Sequence, residues 1–113
     1  MSNQSNAASA DAASADAVFD ALGDPMRRRI TELLRDGPTP VGRIADELPI
    51  GRPAVSKHLG VLEHAGLVTH QSIGTRNLYA LAPDGFAAVQ VWLTDTWDIA
   101  LGAFRDAVEK EGS

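Results

Sequence analysis

Residues 51–68, which read GRPAVSKHLGVLEHAGLV, decide the fold. At 3.6 residues per helical turn, the large apolar side chains of this stretch share one face, at Val55, Leu59 and Leu62. The opposite face carries small, polar or singly cationic residues, namely Pro53, Ser56, Lys57 and Gly60. The pattern predicts a helix over residues 52–65 with one buried face and an outer face that carries no bulky side chain.

A second amphipathic segment, residues 41–48, comes just before this helix. Its apolar side consists of Val41, Ile44, Ala45 and Leu48, and three residues, 49–51, separate the two segments. Two helices joined by a tight turn, with small residues outside on the second, are typical of the helix-turn-helix motif. Since such a helix fits a DNA major groove about 12 Å wide, we expect residues 52–65 to be a recognition helix.

The net charge of −5 is unevenly distributed along the 113 residues. Residues 1–24 carry four acids and no base, and residues 83–113 carry six acids and two bases. Residues 25–82 carry eight bases and five acids, so the positive balance lies in the segment that holds the motif. Because affinity for phosphates depends on where cations lie, the acidic total does not exclude a nucleic-acid partner.

The composition predicts one soluble, cytoplasmic domain. No apolar run approaches the roughly 18 residues of a membrane span, and no secretory signal is visible. The chain has no cysteine, which excludes disulfides and thiolate metal sites. Residues 1–14 are low in complexity and are expected to be a disordered tail, so the domain is assigned to residues 15–110.

Proline and glycine mark the predicted element boundaries. A first helix is expected from an N-cap at Ser14 to Leu22, with Val18, Ala21 and Leu22 facing inward. Asp24-Pro25 begins a second helix that runs to about Asp36. Thr39-Pro40 repeats this cap-then-proline pattern before the third helix, and Gly66 is the expected left-handed C-cap after the fourth.

The C-terminal third is predicted to contain a hairpin and one long helix. Residues 67–73 and 76–81 are β-prone runs joined around Gly74-Thr75, as in the wing of a winged helix. Pro83-Asp84 opens a helix to about Glu109 with two apolar stripes, the first at Phe86, Val89, Leu93, Trp97, Ala100, Phe104 and Val108, the second at Ala88, Trp92, Ile99 and Ala103. Two stripes indicate two partners, the helix's own domain and a second subunit. The alternative is a helix packed only on its own core.

The order of these elements and four stretches carry a family resemblance. LGDPMRRRITELL, VGRIADELP, RPAVSKHLGVLEHAGLV and GTRNLYAL resemble ArsR/SmtB-type winged helix-turn-helix transcriptional repressors, over roughly residues 17–101. The expected fold is mainly α (α+β), in the order α-α-α-α-β-β-α. The resemblance implies a homodimer, joined through its first and last helices, that binds a palindromic operator near its own promoter. The candidate interface residues are Val18, Leu22, Phe86, Val89, Trp92, Leu93, Trp97, Ile99 and Phe104.

Metal sensing does not carry over from the family. Pro40 and Gly42 stand where many members hold metal-binding cysteines, and neither can ligate an ion. The last helix has aspartates but no histidine, and aspartates alone bind zinc or nickel weakly. We therefore expect a branch without metal or other cofactor, and whether a small-molecule effector exists is open.

The candidate DNA-binding residues lie on three predicted elements. They are Arg52, Pro53, Ser56 and Lys57 on the recognition helix, Arg43 on the helix before it, and Gln71, Thr75 and Arg76 on the wing. Arg43 is either a phosphate clamp or an ordinary exposed arginine. Because the wing is poor in lysine and arginine, shallow salt dependence is expected.

Residues outside these sets have simpler explanations. The run Arg27-Arg28-Arg29 is expected on a solvated helix face, where Arg28 can pair with Glu32. His58 and His64 point about 240° apart on a helix and cannot share an ion within one chain, and His58 is expected to be packed and hydrogen-bonded.

Two rival functions remain for comparison. An enzyme is disfavoured because the sequence has no nucleophile elbow, Gly-rich phosphate loop or cysteine. A winged helix that binds only proteins would be expected to carry acids or large hydrophobic residues on the outer face of residues 52–65, where this chain has Pro53, Ser56, Lys57 and Gly60.

Overall fold

The computed structural model describes residues 15–112. The predicted disordered tail and the N-cap at Ser14 therefore lie outside the described residues. The elements follow in the order α1 (residues 15–22), α2 (Pro25–Leu33), β1 (Thr39–Pro40), α3 (Val41–Asp46), α4 (Arg52–His64), β2 (Val68–Ile73), β3 (Arg76–Leu81) and α5 (Pro83–Gly112). No helix in this part of the chain is both long and apolar enough to cross a membrane.

The core lies where α1 to α4 meet. The predicted inner face of α4 is confirmed, since Val55, Leu59 and Leu62 have no accessible surface. They join a single cluster with buried residues from the other elements, which are Val18, Ala21, Ile30, Leu34, Ile44, Leu48, Ala65, Leu67 and Val68. Burying several leucine and isoleucine side chains, at about 1.5–3 kcal/mol each, is the main term that holds the four short helices together.

The wing is confirmed as an antiparallel hairpin, and it gains a third strand that the sequence did not reveal. β2 and β3 pair from Val68 opposite Leu81 to Ile73 opposite Arg76. The two-residue strand β1 pairs with the other edge of β3, with Thr39 opposite Tyr79, so the sheet order is β1-β3-β2. Residues before proline favour extended backbone, which explains why Thr39 adopts a strand conformation.

This strand corrects the predicted start of α3. Pro40 is the N-cap, and it offers no side-chain hydrogen bond. The Thr39 hydroxyl donates to the carbonyl of Gly37 at 2.9 Å and does not cap the helix.

Three other predicted boundaries were also displaced. α2 ends at Leu33 and not near Asp36, because residues 34–36 form a turn before Gly37, whose φ is 127°. α3 ends at Asp46, so five residues and not three connect it to α4, although Leu48 is still buried. α5 continues past Glu109 to Gly112.

The start of α2 is built as predicted. The Asp24 carboxylate accepts hydrogen bonds from the backbone N–H groups of Met26 (2.8 Å) and Arg27 (3.3 Å). Partial desolvation raises the pKa of Asp24, but these two bonds and the charge of Arg27 outweigh it, so the pKa lies below its ordinary value.

In the arginine run that follows, Arg28 and Arg29 are exposed as expected, whereas Arg27 is not. Arg27 is part-buried, and its Nε and Nη2 donate to the carbonyls of Ala21 (2.7 Å) and Asp20 (3.2 Å), which ties the end of α1 to α2. Arg28 does not form the predicted pair with Glu32, because it donates to the carbonyl of Leu22. Glu32 lies instead 3.9 Å from Arg29.

α5 joins the rest of the chain through a contact between two backbones. The N–H of Gly85 donates to the carbonyl of Gly66 at 2.8 Å. A Cβ at position 85 would lie 2.8 Å from the carbonyl oxygens of both Ala65 and Gly66, so only glycine fits. Gly66 has φ 79°, the left-handed conformation predicted after α4.

Beyond this junction α5 leaves the domain. Residues 91–112 are exposed apart from the half-buried Gly102. The alternative of a terminal helix packed only on its own core is therefore wrong. The expectation that one full stripe covers the helix's own domain holds only for its first turns, where Gly85 is buried and Val89 packs on the core.

Candidate nucleic-acid interface

α4 presents the outer face that its sequence predicts. Gly51 is the N-cap without a side-chain hydrogen bond, Pro53 lies in the first turn, and the helix ends at His64 with Ala65 as C-cap. The outward residues Arg52, Pro53, Ser56, Lys57 and Gly60 are all exposed, while Val55, Leu59 and Leu62 anchor the opposite side. Proline at this position suits a helix start because its missing N–H is not needed there.

An open cleft of about 560 Å³ lies beside the N-terminal end of α4. Its walls come from α3, α4 and the wing, and its lining residues are Pro40, Val41, Gly42, Arg43, Asp46, Arg52, Thr75, Arg76 and Asn77. The structure thus brings together four of the candidate residues from three elements, Arg43, Arg52, Thr75 and Arg76. We call this the three-arginine cleft.

The charge of the three-arginine cleft is not balanced locally. Asp46 is the one acid among its lining residues. Within residues 15–112, the ion pairs formed by arginine involve only Arg27 and Arg29, so Arg43, Arg52 and Arg76 have no carboxylate partner there. The exposed Arg43 therefore lies at a cationic concave surface, which favours the first of the two roles considered for it.

Arg52 takes a specific position in the cleft. Its guanidinium lies against Gly42 of α3, so that a Cβ built on Gly42 would be 2.5 Å from Nη2 and 3.0 Å from Cζ. The head group therefore turns back toward α3. Ser56 and Lys57 lie further along the exposed face of α4 and do not line the cleft.

The remaining wing candidates differ in position. Thr75 follows Gly74, whose φ is 64°, at the tip of the hairpin and lines the cleft. Gln71 is exposed on β2 opposite Leu78 and lies outside the cleft. The Ser72 hydroxyl donates to Oδ1 of Asn77 at 2.7 Å, a bond across the hairpin that the sequence did not suggest.

The side chains of His58 and His70 have different partners in the structure. Nδ1 of His58 lies 3.4 Å from Nη1 of Arg27, as expected for a packed and hydrogen-bonded side chain. Nδ1 of His70 lies 2.7 Å from Oε2 of Glu63, which joins the wing to α4. In the described part of the chain, no three His, Asp or Glu side chains come together as a possible metal site.

A second exposed surface lies on α5 and α1. Its large apolar residues are Phe86, Val91, Trp92, Leu93, Trp97, Ile99, Leu101, Phe104 and Val108 of α5, together with Phe19 of α1. The rings of Phe19 and Trp92 meet edge-on with centroids 5.2 Å apart, so the two helices contribute to one surface. We call this set the α1/α5 apolar surface.

The interface candidates on α1 need correction. Val18 has no accessible surface within its own chain and cannot contact a partner directly, and Leu22 is half-buried against the core. Phe19, which was not selected from the sequence, is 42% exposed beside Trp92. The sequence could have indicated this position, because Phe19 is a large aromatic residue that follows Val18 but does not lie on the inward face of the helix.

Comparison with known proteins shows which class of protein shares this fold and this arrangement of α3, α4 and the wing. A family described as a helix-turn-helix domain matches residues 22–71. The crystal structure of an ArsR family transcriptional regulator superposes with a TM-score of 0.70 at 29% identity, over 76% of this chain and 89% of the other. A homodimeric winged helix-turn-helix DNA-binding domain from Mycobacterium bovis gives a TM-score of 0.62 at 26% identity, over 88% of this chain and 91% of the other. The molecule is a winged helix-turn-helix protein of the DNA-binding regulator class.

A sequence relative identifies the family. The chain is 44% identical over 99 residues to the HTH-type transcriptional regulator Rv2034 of Mycobacterium tuberculosis, which spans 88% of this chain and 92% of the relative. The chain belongs to the ArsR/SmtB family of transcriptional regulators.

Proposed function

We propose that this regulator acts as a cytoplasmic dimeric repressor that binds a palindromic operator near its own promoter without sensing metal. The observation that carries the proposal is the exposed outer face of α4, which stands next to three arginines that form no ion pair within residues 15–112. Ser56 and Lys57 would contact base edges, and the arginines would contact backbone phosphates.

Dimerisation is supported by the α1/α5 apolar surface. A lone chain would leave Trp97 59% and Phe104 68% exposed. Apolar patches of this extent mark interfaces in soluble proteins. A two-fold dimer would present two copies of α4 to successive major grooves, which is why a palindromic operator is expected.

The absence of metal sensing is supported at the positions that match the family's cysteines. Pro40 and Gly42 supply no ligand atom in their side chains, and the guanidinium of Arg52 occupies the space beside Gly42. Addition of zinc or nickel should therefore leave the affinity for operator DNA unchanged, whereas release of the duplex by either ion would contradict this part of the proposal.

DNase footprinting of the region upstream of the gene, with selection from a random duplex pool, tests the proposal as a whole. The parent protein should protect an imperfect palindrome, and Ser56→Ala with Lys57→Ala should lose about 1–3 kcal/mol of binding free energy per lost base contact. Arg35→Ala is the matched control, because it removes one exposed cation that lies in the turn after α2 and not on the outer face of α4. A double variant that protects the same bases as the parent would remove Ser56 and Lys57 from base recognition. A parent that selects no sequence would indicate a protein-binding module instead.

A further inference from the structure

Gly42 is a helical residue whose backbone does not need glycine. Among residues 15–112, positive φ angles occur only at Gly37, Gly66 and Gly74. Glycine inside a helix is less stable than alanine, so the backbone of α3 would favour alanine at this position. At Gly60 and Gly102, also within helices, an added Cβ would meet nothing within 4 Å. At Gly42 it would meet the head group of Arg52.

The space beside Gly42 can hold either the head group of Arg52 or a Cβ at position 42, but not both. The built Cβ lies 2.5 Å from Nη2, 3.0 Å from Cζ and 3.5 Å from Nε of Arg52. Carbon atoms do not approach a guanidinium this closely, so an alanine at position 42 and Arg52 in its observed position cannot coexist. The obstacle is the far end of a flexible side chain, and therefore the arginine would move while the helix stayed in place.

We infer that Gly42 is a positioning residue that leaves room for the Arg52 head group in the three-arginine cleft, where Arg43, Arg52 and Arg76 together receive a backbone phosphate of DNA. The inference rests on the proposed function and assigns separate roles within it. Arg52 contacts the phosphodiester, and Ser56 and Lys57 contact the bases. Arg52 stands at the first position of α4, where a side chain directed outward would enter the groove, but its head group lies across α3.

The chemistry of the cleft suits a phosphate group. A guanidinium presents a planar fork of donors that pairs with two phosphate oxygens. Arg43, Arg52 and Arg76 come from three elements, and none has a carboxylate partner in the described chain.

The test is a double-mutant cycle of Gly42→Ala and Arg52→Ala in the full chain. Dissociation constants are measured over a KCl series for the duplex selected by the parent and for a scrambled duplex of equal length. Arg52→Ala should weaken both by roughly tenfold or more. It should also lower the log–log salt slope by about 0.9 per lost contact, or about 1.8 for a dimer. Gly42→Ala should lose several-fold in the same direction, and the double variant should bind no worse than Arg52→Ala.

Thermal unfolding separates this effect from misfolding. Gly42→Ala should keep or raise the unfolding midpoint while it weakens DNA binding, a combination that a folding defect cannot produce. Gly102→Ala is the matched control, because it makes the same change in α5 with nothing within 4 Å of the new Cβ. It should leave the salt slope unchanged.

Several outcomes would overturn the inference. An unchanged salt slope in Gly42→Ala, or a loss that adds fully to that of Arg52→Ala, would show that Gly42 does not act through Arg52. If Arg52→Ala changed the preference among operator sequences and kept the salt slope, Arg52 would be a base reader. A parent that binds both duplexes equally would instead refute the proposed sequence-specific function, which is a separate result.

Inorganic phosphate at constant ionic strength distinguishes the DNA backbone from a free anion. Equal displacement of the duplex by phosphate and chloride supports a site shaped by DNA. If phosphate displaced the duplex more strongly from the parent than from Arg52→Ala, free phosphate would compete with the DNA backbone for the same arginine, which would also support the assignment. Phosphate that bound to the parent and left the duplex in place would show a free-anion site and would overturn the assignment to DNA.

Discussion

The body of the protein, residues 15–90, and the distal helix, residues 91–112, use hydrophobic residues in opposite ways. The body closes its own core around side chains such as Ile30, Leu59 and Leu67, all without accessible surface. The distal helix keeps eight large hydrophobic residues exposed, and Ile99 reaches 73%. Both regions are rich in apolar residues, so composition alone does not separate a core from an interface. The difference teaches that the body buries its apolar side chains within the chain, whereas the distal helix leaves its own exposed, which is why a partner subunit is proposed for it.

The same substitution placed in each region gives the largest expected contrast. Leu59→Ala in the body removes a fully buried side chain and should lower the free energy of unfolding by about 2–5 kcal/mol at every protein concentration. Leu93→Ala changes a side chain that is 54% exposed, and its cost should appear only through the proposed dimer, as a midpoint that depends on concentration. Thermal unfolding over a dilution series measures both. Equal, concentration-independent losses would show that the two regions do not differ.

A smaller effect is expected when the distal helix loses one aromatic residue. Trp97→Ala should weaken dimerisation by about 2 kcal/mol or more, as for a central aromatic residue of an interface, and should lower DNA affinity with it. Sedimentation equilibrium measures the shift toward monomer. Asp98→Ala, one residue away and off both apolar stripes, should leave the dimer intact. A Trp97→Ala protein that stayed dimeric would move the interface elsewhere.

The smallest effect concerns pH and is confined to the body. The pKa of Asp24 lies below its ordinary value of 3.8, because its bonds to the N–H groups of Met26 and Arg27 and the charge of Arg27 outweigh desolvation. A lowered pKa means that the carboxylate stabilises the fold above about pH 4 and that this contribution is lost as the pH falls through the folded-state value. Asp24→Asn should therefore lower the unfolding midpoint at neutral pH, and the difference from the parent should shrink in acid. Circular dichroism melts across this range provide the measurement, and a constant difference would contradict the assignment.

Local patterns in the sequence were sufficient where the determinants are neighbours along the chain. The inner stripe of α4, the left-handed Gly66 and the hairpin around Gly74 each depend on residues within a few positions, and all three predictions were confirmed. The start of α2 at Asp24-Pro25 belongs to the same group, since its hydrogen bonds span two and three residues.

Several of the predictions that failed concern contacts between elements that are separate in the sequence. β1 has only two residues and exists because Tyr79 and Leu78 lie opposite them. Arg27 was expected in solvent, yet it is held by carbonyls of α1 and approaches His58, 31 residues away. The position of Arg52 against Gly42 likewise requires α3 and α4 to be packed, so no spacing rule could reveal it.

The backbone contact between Gly66 and Gly85 has a consequence for the distance between two operator half-sites. Side chains at a contact can rotate or repack when one helix is displaced. Here two backbones are in direct contact and are joined by a 2.8 Å hydrogen bond, so α5 has little freedom to pivot against the end of α4. In the proposed dimer, a tilt imposed on the paired terminal helices would pass through this junction as a displacement of the DNA-reading surface. An effector would then need to alter only the pairing of α5 with its counterpart to carry the two recognition helices out of register with the duplex.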